Sequence, residues 1–517
     1  MGKDIQPEEA NKNGLQFNAK KQWADAVACF KEAGRLAPEN SEYHENLGIA
    51  LRKQGNDVEA AHALRRAISI KPRSPIALAS LGELILEHCN TGGAVDCFRK
   101  AFDMAPGSGW GHVQMARAYL EGGNPESAAE CAKLAFTLDP SLAQAYTVFA
   151  SAAQELGRFS EAQEALERSI QIDSDQADAY FKLFYGKKAG QTDQDLIEAM
   201  QRVLVNGKRT LEEQRLLNYA LGKAYEDLGE YGKAMQRYDL ANRAAFDLQL
   251  GGRVFDRRAY SAEVDRSIRQ FTKGFLEQAT PLGSPSKTPI FVIGMMRSGT
   301  TLLEQILSRH SKIGAGGETG FWMRKGVQAV RPNIEGVRPS SPNQIAEEYL
   351  SMLGAISPGK PYITEKDPLN FRFLGEIRFT FPKARFIHCR RNPIDNCLST
   401  YTTPYRIPAD FSYNRQNIVF AYKEYLRLMD HWRALLPEET MIEIDYEDLA
   451  QEPEATTRKV IKFLGLDWEE ACLQHEVSKG RIGTPSFWQA RQPIYSSSVN
   501  RRTRFKGLLG EFTELDS

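Results

Sequence analysis

A period of 34 residues runs through the first third of the chain. Ala26, Ala60, Ala94, Ala128 and Ala162 keep that step. So do Ala33, Ala67, Ala101 and Ala135, and also Pro38, Pro72, Pro106 and Pro140. Gly14, Gly48 and Gly82 are in phase with them, with Ala116 and Ala150 in the next two slots. A unit this short cannot bury its own apolar face, so successive units must stack into one continuous core. Small residues let two antiparallel helices approach closely, while Phe30, Leu64, Phe98 and Leu166 fill the space between them. Each Pro closes the second helix, because it lacks an N–H and clashes with the preceding turn. A generic alanine-rich bundle has no reason to hold several residue types in phase over so many periods.

This spacing resembles the tetratricopeptide repeat. Five units cover about residues 7–174. After a degenerate stretch at 175–214, Gly222, Ala234, Tyr238 and Ala241 repeat the offsets of Gly14, Ala26, Phe30 and Ala33. The resemblance implies an all-α superhelix whose concave face holds an acceptor protein, a peptide or another partner.

The rest of the 517 residues needs a different fold. Residues 250–277 read as amphipathic helices that would cap the open end of the array. TPLGSPSKTP (280–289) has the composition of a linker. The expected organisation is a repeat array at 1–249, a helical connector and linker at 250–287, and an α/β domain at 288–517. Lys plus Arg equals Asp plus Glu at 66 each, so no global field draws the chain to nucleic acid or a membrane. The longest apolar run of the central region, PIFVIGMM (289–296), is far below the ~20 residues of a membrane helix. MGKDIQPEEA at the start has no apolar core for a signal peptide, and Pro7 and Glu8 do not suit myristoylation. Seven Cys without a CxxC spacing suggest reduced thiols in a cytoplasmic protein. Eight His without HxxxH or HExxH spacing give no support for a metal site.

PIFVIG (289–294) reads as a buried strand, MMRSGTT as a turn, and LLEQILSRH as a helix. The amides at such a helix start form an anion cradle. Gly294 and Gly299 have P-loop separation, yet Thr300 stands where that motif requires Lys. Arg297 supplies a fixed charge inside the loop instead. ARFIHCRRNPIDNCLSTY (384–401) reads as a second strand, a basic turn and a helix begun by Pro393. Arg391 at the strand end and Ser399 eight residues on would embrace a second phosphate.

These two segments resemble the 5′-phosphosulfate loop and the 3′-phosphate motif of sulfotransferases. RSGTT, GGET (316–319), EKDP (365–368) and DYEDL (445–449), in this order, are most similar to the tyrosylprotein sulfotransferase branch. The resemblance covers about 288–506. With the repeats, the chain resembles bacterial sulfotransferases that carry tetratricopeptide repeats. It implies a multidomain fold: an all-α superhelix, then an α/β P-loop-like domain with a central parallel sheet.

The implied reaction moves a sulfuryl group from 3′-phosphoadenosine 5′-phosphosulfate (PAPS) to a hydroxyl, without a metal. The product would be adenosine 3′,5′-bisphosphate. Arg297, Ser298, Gly299, Thr300 and Thr301 would hold the 5′-phosphosulfate, and Arg391 and Ser399 the 3′-phosphate. Tyr446 would touch the adenosine, and Arg501 or Lys506 of the basic tail would close over the 3′-phosphate. Glu318 would be the general base, with His310 as its rival, since other sulfotransferases use His. His310 also reads as a cap at the end of the loop helix. Arg297 and Lys366 would stabilise charge in transfer, and Ser486 would lie near the sulfate.

One departure stands out. Gly320 follows Glu318-Thr319 where the tyrosylprotein enzymes have an Arg that helps hold the acceptor; Arg324, one turn on, would compensate. The acceptor stays open among protein tyrosine, glycan, lipid headgroup and small phenol. A P-loop phosphotransferase is disfavoured by Thr300 and by the Arg391/Ser399 pair. A non-catalytic repeat scaffold is disfavoured by the intact set Arg297, Glu318, Lys366, Arg391 and Ser399. Because 288–517 contains every one of these motifs, the repeats need not contribute to donor binding.

Overall fold

The computed structural model describes residues 6–20, 22–87, 91–102, 107–251, 253–279, 283–330, 341–405, 409–474 and 498–516. The chain divides into two compact units, Met1–Gly186 and Lys187–Ser517.

The first unit is all helical. Its hairpins pair Pro7–Ala19 with Trp23–Leu36, Ser41–Gln54 with Asp57–Ile70, and Pro75–Glu87 with Thr91–Phe102. Gly109–Glu121 pairs with Pro125–Leu138, and Ala143–Glu155 with Phe159–Ile172. The repeating glycine has a steric cause. A Cβ on Gly14 would stand 2.6 Å from the Phe30 ring, on Gly48 2.6 Å from Leu64, and on Gly82 2.9 Å from Phe98. No real side chain fits there, so the large residue of the second helix selects glycine in the first. Ala26, Ala60, Ala94 and Ala128 are fully buried.

The second unit begins before the sequence boundary. It takes in the helix Gln194–Val205 and the hairpin Leu211–Asp227 with Tyr231–Leu250. This hairpin keeps the repeat rule, since a Cβ on Gly222 would lie 2.7 Å from the Tyr238 ring. The connector helix Arg257–Gln270 packs on the long helix Arg415–Leu435, where Arg427 pairs with Asp265 at 2.8 Å. Phe271 is fully buried, and His431 bonds to its carbonyl at 3.0 Å. The role expected for residues 250–277, capping the array, thus gives way to packing on the α/β domain. Phe255, Tyr260 and Phe271 find aromatic partners there in Phe411, Phe420 and Trp432.

At the centre lies a parallel sheet of five strands: β1 (Pro289–Gly294), β2 (Ile313–Ala315), β3 (Tyr362–Glu365), β4 (Arg385–Arg390) and β5 (Met441–Asp445). Their order is β2-β3-β1-β4-β5. β1 is buried along its whole length. Alternate residues serve opposite faces. Ile290 and Val292 join the core with Leu303, Ile306 and Ile387. Phe291 stacks among Trp322, Tyr349 and Phe386 on the other face. All five strands run the same way, so the segments that follow them emerge at one edge. That edge is where open α/β sheets bind ligands.

Candidate active site

The loop after β1 is shaped by its backbone. Gly294 has φ +153°, and a Cβ there would stand 2.3 Å from the Cys389 carbonyl of β4. Arg297 has φ +67°, a left-handed conformation that costs a non-glycine residue energy and marks functional turns. Gly299 has φ +96°, and a Cβ there would lie 2.5 Å from the Tyr446 ring. The helix Thr300–Leu307 starts immediately afterwards with no side-chain cap, so the positive end of its dipole faces this loop.

The second motif sits beside this loop because β4 pairs with β1, Gly294 opposite Cys389. Arg391 donates through Nη1 to the Arg297 carbonyl at 3.0 Å and through Nη2 to the Ser498 carbonyl at 2.7 Å. Its guanidinium lies 4.7 Å from the centre of the Tyr446 ring. Ser399, on the helix Pro393–Tyr401, accepts from Arg297 Nε at 3.3 Å. Burial pulls the Arg391 pKa below its ordinary value, with Arg297 and Arg501 among the lesser repulsive causes. Among the described residues, Ser298 Oγ and Arg391 Nε are buried without a hydrogen-bond partner. A hydroxyl and a guanidinium N–H left in this state suit phosphate oxygens, so the residues present fit a nucleotide with two phosphate groups.

Glu318 follows β2 and Lys366 follows β3, so both reach the same edge. Gly316 is required here, since a Cβ would stand 2.3 Å from the Thr364 carbonyl. Lys366 donates from its amide to Gly317 O at 2.9 Å and from its ammonium to the Glu318 carboxylate. Lys366 is 1% exposed, whereas the Glu318 side chain is 45% exposed. Arg324 bends back to donate to Thr319 O at 3.0 Å. Its Nη1 lies 3.0 Å from where a Cβ of Gly320 would be. A cation therefore stands beside the glycine that departs from the tyrosylprotein pattern.

His310 lies elsewhere. It precedes β2 and so faces the opposite edge of the sheet. Its Nδ1 accepts from the Lys312 amide at 3.1 Å, which leaves Nε2–H to donate to the Asp467 carbonyl at 2.9 Å. Both ring nitrogens are engaged in the fold.

Arg501 also departs from the expected contact. Its guanidinium grips the Glu226 carboxylate at 2.6 and 2.5 Å and donates to Thr402 Oγ1 at 2.8 Å. Lys506 is exposed. Ser486 lies outside the described residues. Thr300 and Thr301 are buried in the first turn of the loop helix.

Sequence reasoning missed several acids near the site. Glu304, on the buried face of the loop helix, accepts from the Gly317 amide and from Thr364 Oγ1, each at 3.0 Å. Burial raises its pKa, opposed by the charge of Lys366. The signal was a lone acid inside the apolar TTLLEQIL. Burial pushes Glu365 up to about 7, and it pushes Asp367 up to about 6 with help from the Glu318 charge. Glu365 takes hydrogen bonds from Thr319 and Tyr349. Burial likewise pushes the Tyr405 phenol up to about 12, with Arg297 and Glu318 among the charges acting on it. Among the described residues, no group of three or more His, Cys, Asp and Glu is arranged to hold a metal ion. No described helix is long and apolar enough to cross a membrane.

These features define the class. Residues 289–470 match the sulfotransferase family, and residues 19–75, 111–142 and 143–176 match tetratricopeptide repeats. The chain thus joins tetratricopeptide repeats to a sulfotransferase domain with a central parallel sheet.

Among particular relatives, an uncharacterized protein of Aquifex aeolicus is 31% identical over 341 residues, covering 63% of this chain and 44% of that one. Protein-tyrosine sulfotransferase 1 of Danio rerio is 26% identical over 206 residues, covering 38% of this chain and 58% of the relative. The protein-tyrosine sulfotransferase of Drosophila melanogaster is 27% identical over 199 residues, covering 36% and 40%. The chain spans about half the length of the curated relatives it matches. A tetratricopeptide repeat protein of Parabacteroides merdae aligns with a TM-score of 0.38 at 18% identity, over 46% of this chain and 93% of that one.

Proposed function

We propose that the chain is a PAPS-dependent sulfotransferase. The observation that carries this reading is the double engagement of Arg297: Arg391 bonds its carbonyl and Ser399 its guanidinium. One residue of the loop after β1 is thereby held by both members of the motif after β4. Two phosphate cradles share one sheet edge, as a nucleotide with separate 3′ and 5′ groups requires.

PAPS, when bound, supplies the activated sulfuryl group. Amides and hydroxyls of Ser298, Gly299, Thr300 and Thr301 bind its 5′ end, and Arg391 with Ser399 binds the 3′-phosphate. Tyr446, wedged between Gly299 and Arg391, offers a ring for the adenosine. Glu318 takes the proton of the acceptor hydroxyl. Lys366 and Arg297 hold positive charge where negative charge develops, which needs no reorganisation at the moment of transfer. Thr300 in the Walker lysine position disfavours phosphoryl transfer.

Among acceptors we place protein tyrosine first, because sulfotransferases named for it are among the relatives. The Arg324 guanidinium beside Gly320 supplies a cation where the tyrosylprotein pattern has one. The repeats would hold the acceptor chain away from the reacting hydroxyl and raise its local concentration. We place the chain in a reducing, cytoplasmic setting, on its seven Cys without a CxxC spacing.

Calorimetry in the presence of a chelator tests the donor. Adenosine 3′,5′-bisphosphate should bind at least tenfold more tightly than ADP, the worth of a charge-assisted phosphate contact of about 1.5–3 kcal/mol. Equal affinities would remove the role given to Arg391 and Ser399. Labelled PAPS offered with tyrosine peptides and with small phenols separates the acceptor classes.

A further inference from the structure

We propose that Glu226 and Asp239, on the last repeat hairpin, are positioning residues for the donor site, acting through Arg501 and Tyr401. The proposal rests on the sulfotransferase reading. It reverses the expectation that 288–517 suffices for donor binding.

Glu226 lies on the helix Leu211–Asp227, and its carboxylate is gripped by both arms of Arg501. The two side chains are only 14% and 12% exposed. Tyr238 of the same hairpin adds a bond to Glu226 at 2.9 Å. A buried fork of this kind is rigid, and removing the carboxylate strands a buried cation.

Arg501 belongs to a segment laid along the 3′-phosphate motif. Three residues earlier, the Ser498 carbonyl accepts from Arg391 Nη2. One residue later, the Arg502 amide donates to Asp395 at 2.6 Å, on the helix that carries Ser399. Arg501 itself reaches Thr402, which caps that helix. Glu226 thus anchors the strap that orients Arg391.

Asp239 holds the C-terminal turn of the same helix. It accepts from Tyr401 OH at 2.6 Å and from Arg415 at 2.5 Å. The neighbouring Asn242 donates to the Tyr401 carbonyl at 2.9 Å, and Tyr219 OH donates to Asn242 at 3.0 Å. The helix Pro393–Tyr401 is consequently braced by repeat side chains on its C-terminal turn and by the strap along its flank. The hairpin of Leu211–Asp227 and Tyr231–Leu250 is thus a wall of the donor site.

The test uses the full chain. Glu226→Gln should raise both the donor KM and the Kd of adenosine 3′,5′-bisphosphate about tenfold, with a much smaller change in kcat. Asp239→Asn, at a side chain 47% exposed and less hazardous to folding, should give the same split at roughly threefold. The double variant Glu226→Gln/Arg501→Gln should bind no worse than the weaker single variant, because both changes cut one link. In the ligand-free chain, hydrogen exchange at 394–402 should quicken in Glu226→Gln. Unchanged affinity with unchanged exchange in both single variants overturns the proposal, as does a fall in kcat alone. A wild-type chain that binds no nucleotide, with exchange at 394–402 still responding to Glu226→Gln, overturns the donor reading and leaves the bracing intact.

Discussion

The ammonium of Lys366 is bonded to the carboxylate of Glu318, so the ends of β3 and β2 meet in an ion pair. The cation is buried and the anion half-open, an arrangement that keeps a charge in place while leaving its partner reachable. Glu304 fixes the turn beneath them through the Gly317 amide.

Glu318→Ala should therefore preserve nucleotide binding and lower turnover by about 10²–10⁴-fold, the scale of general-base loss. His310→Ala should leave turnover near wild type, because its ring bonds Asp467 and Lys312 at the far edge. Steady-state rates of the two variants decide between them. Collapse in His310→Ala with a healthy Glu318→Ala would reassign the base.

Gly299→Ala should lose most nucleotide binding, since the new Cβ meets the Tyr446 ring and the backbone is left-handed. The strain is worth about 1–3 kcal/mol. Measured against Tyr446→Ala alone, adding Gly299→Ala should still weaken binding by the cost of the left-handed backbone, without the steric part. No further loss, read by calorimetry, would show that the left-handed backbone carries no cost.

Stability should fall as pH rises from 6.5 to 8. Glu365 has a folded pKa of about 7, above its ordinary value of 4.5. The folded state then holds the proton more tightly, so this stabilisation is complete below 4.5 and is lost as pH rises through 7. Asp367, raised to about 6, acts in the same direction. His388 is lowered by burial and works in the opposite sense below its ordinary 6.5, so the window is taken above that value. Thermal melts of Glu365→Gln should show a flatter pH profile. An unchanged slope would take Glu365 out of the account.

Local chemistry made much of this protein readable. The step of Gly14, Gly48 and Gly82 against Phe30, Leu64 and Phe98 lies within single hairpins, so its steric logic is written at short range. PIFVIG, MMRSGTT and LLEQILSRH likewise announce strand, turn and helix by composition alone. The order of the motifs identified Arg297, Glu318, Lys366, Arg391 and Ser399 as site candidates.

Their meeting depends on strand order, which no local pattern encodes. β4 pairs with β1, and that brings Arg391 to the carbonyl of a residue 94 positions away. β2 begins only after the loop helix has returned across the sheet, which leaves His310 at the edge opposite Glu318. A basic tail reads the same whether its arginines meet phosphate or carboxylate. Only packing against a hairpin 275 residues earlier decided that Arg501 would hold Glu226. Short-range sterics and composition are properties of the sequence, whereas pairing across such distances is settled by which buried faces and charges the folded chain brings together.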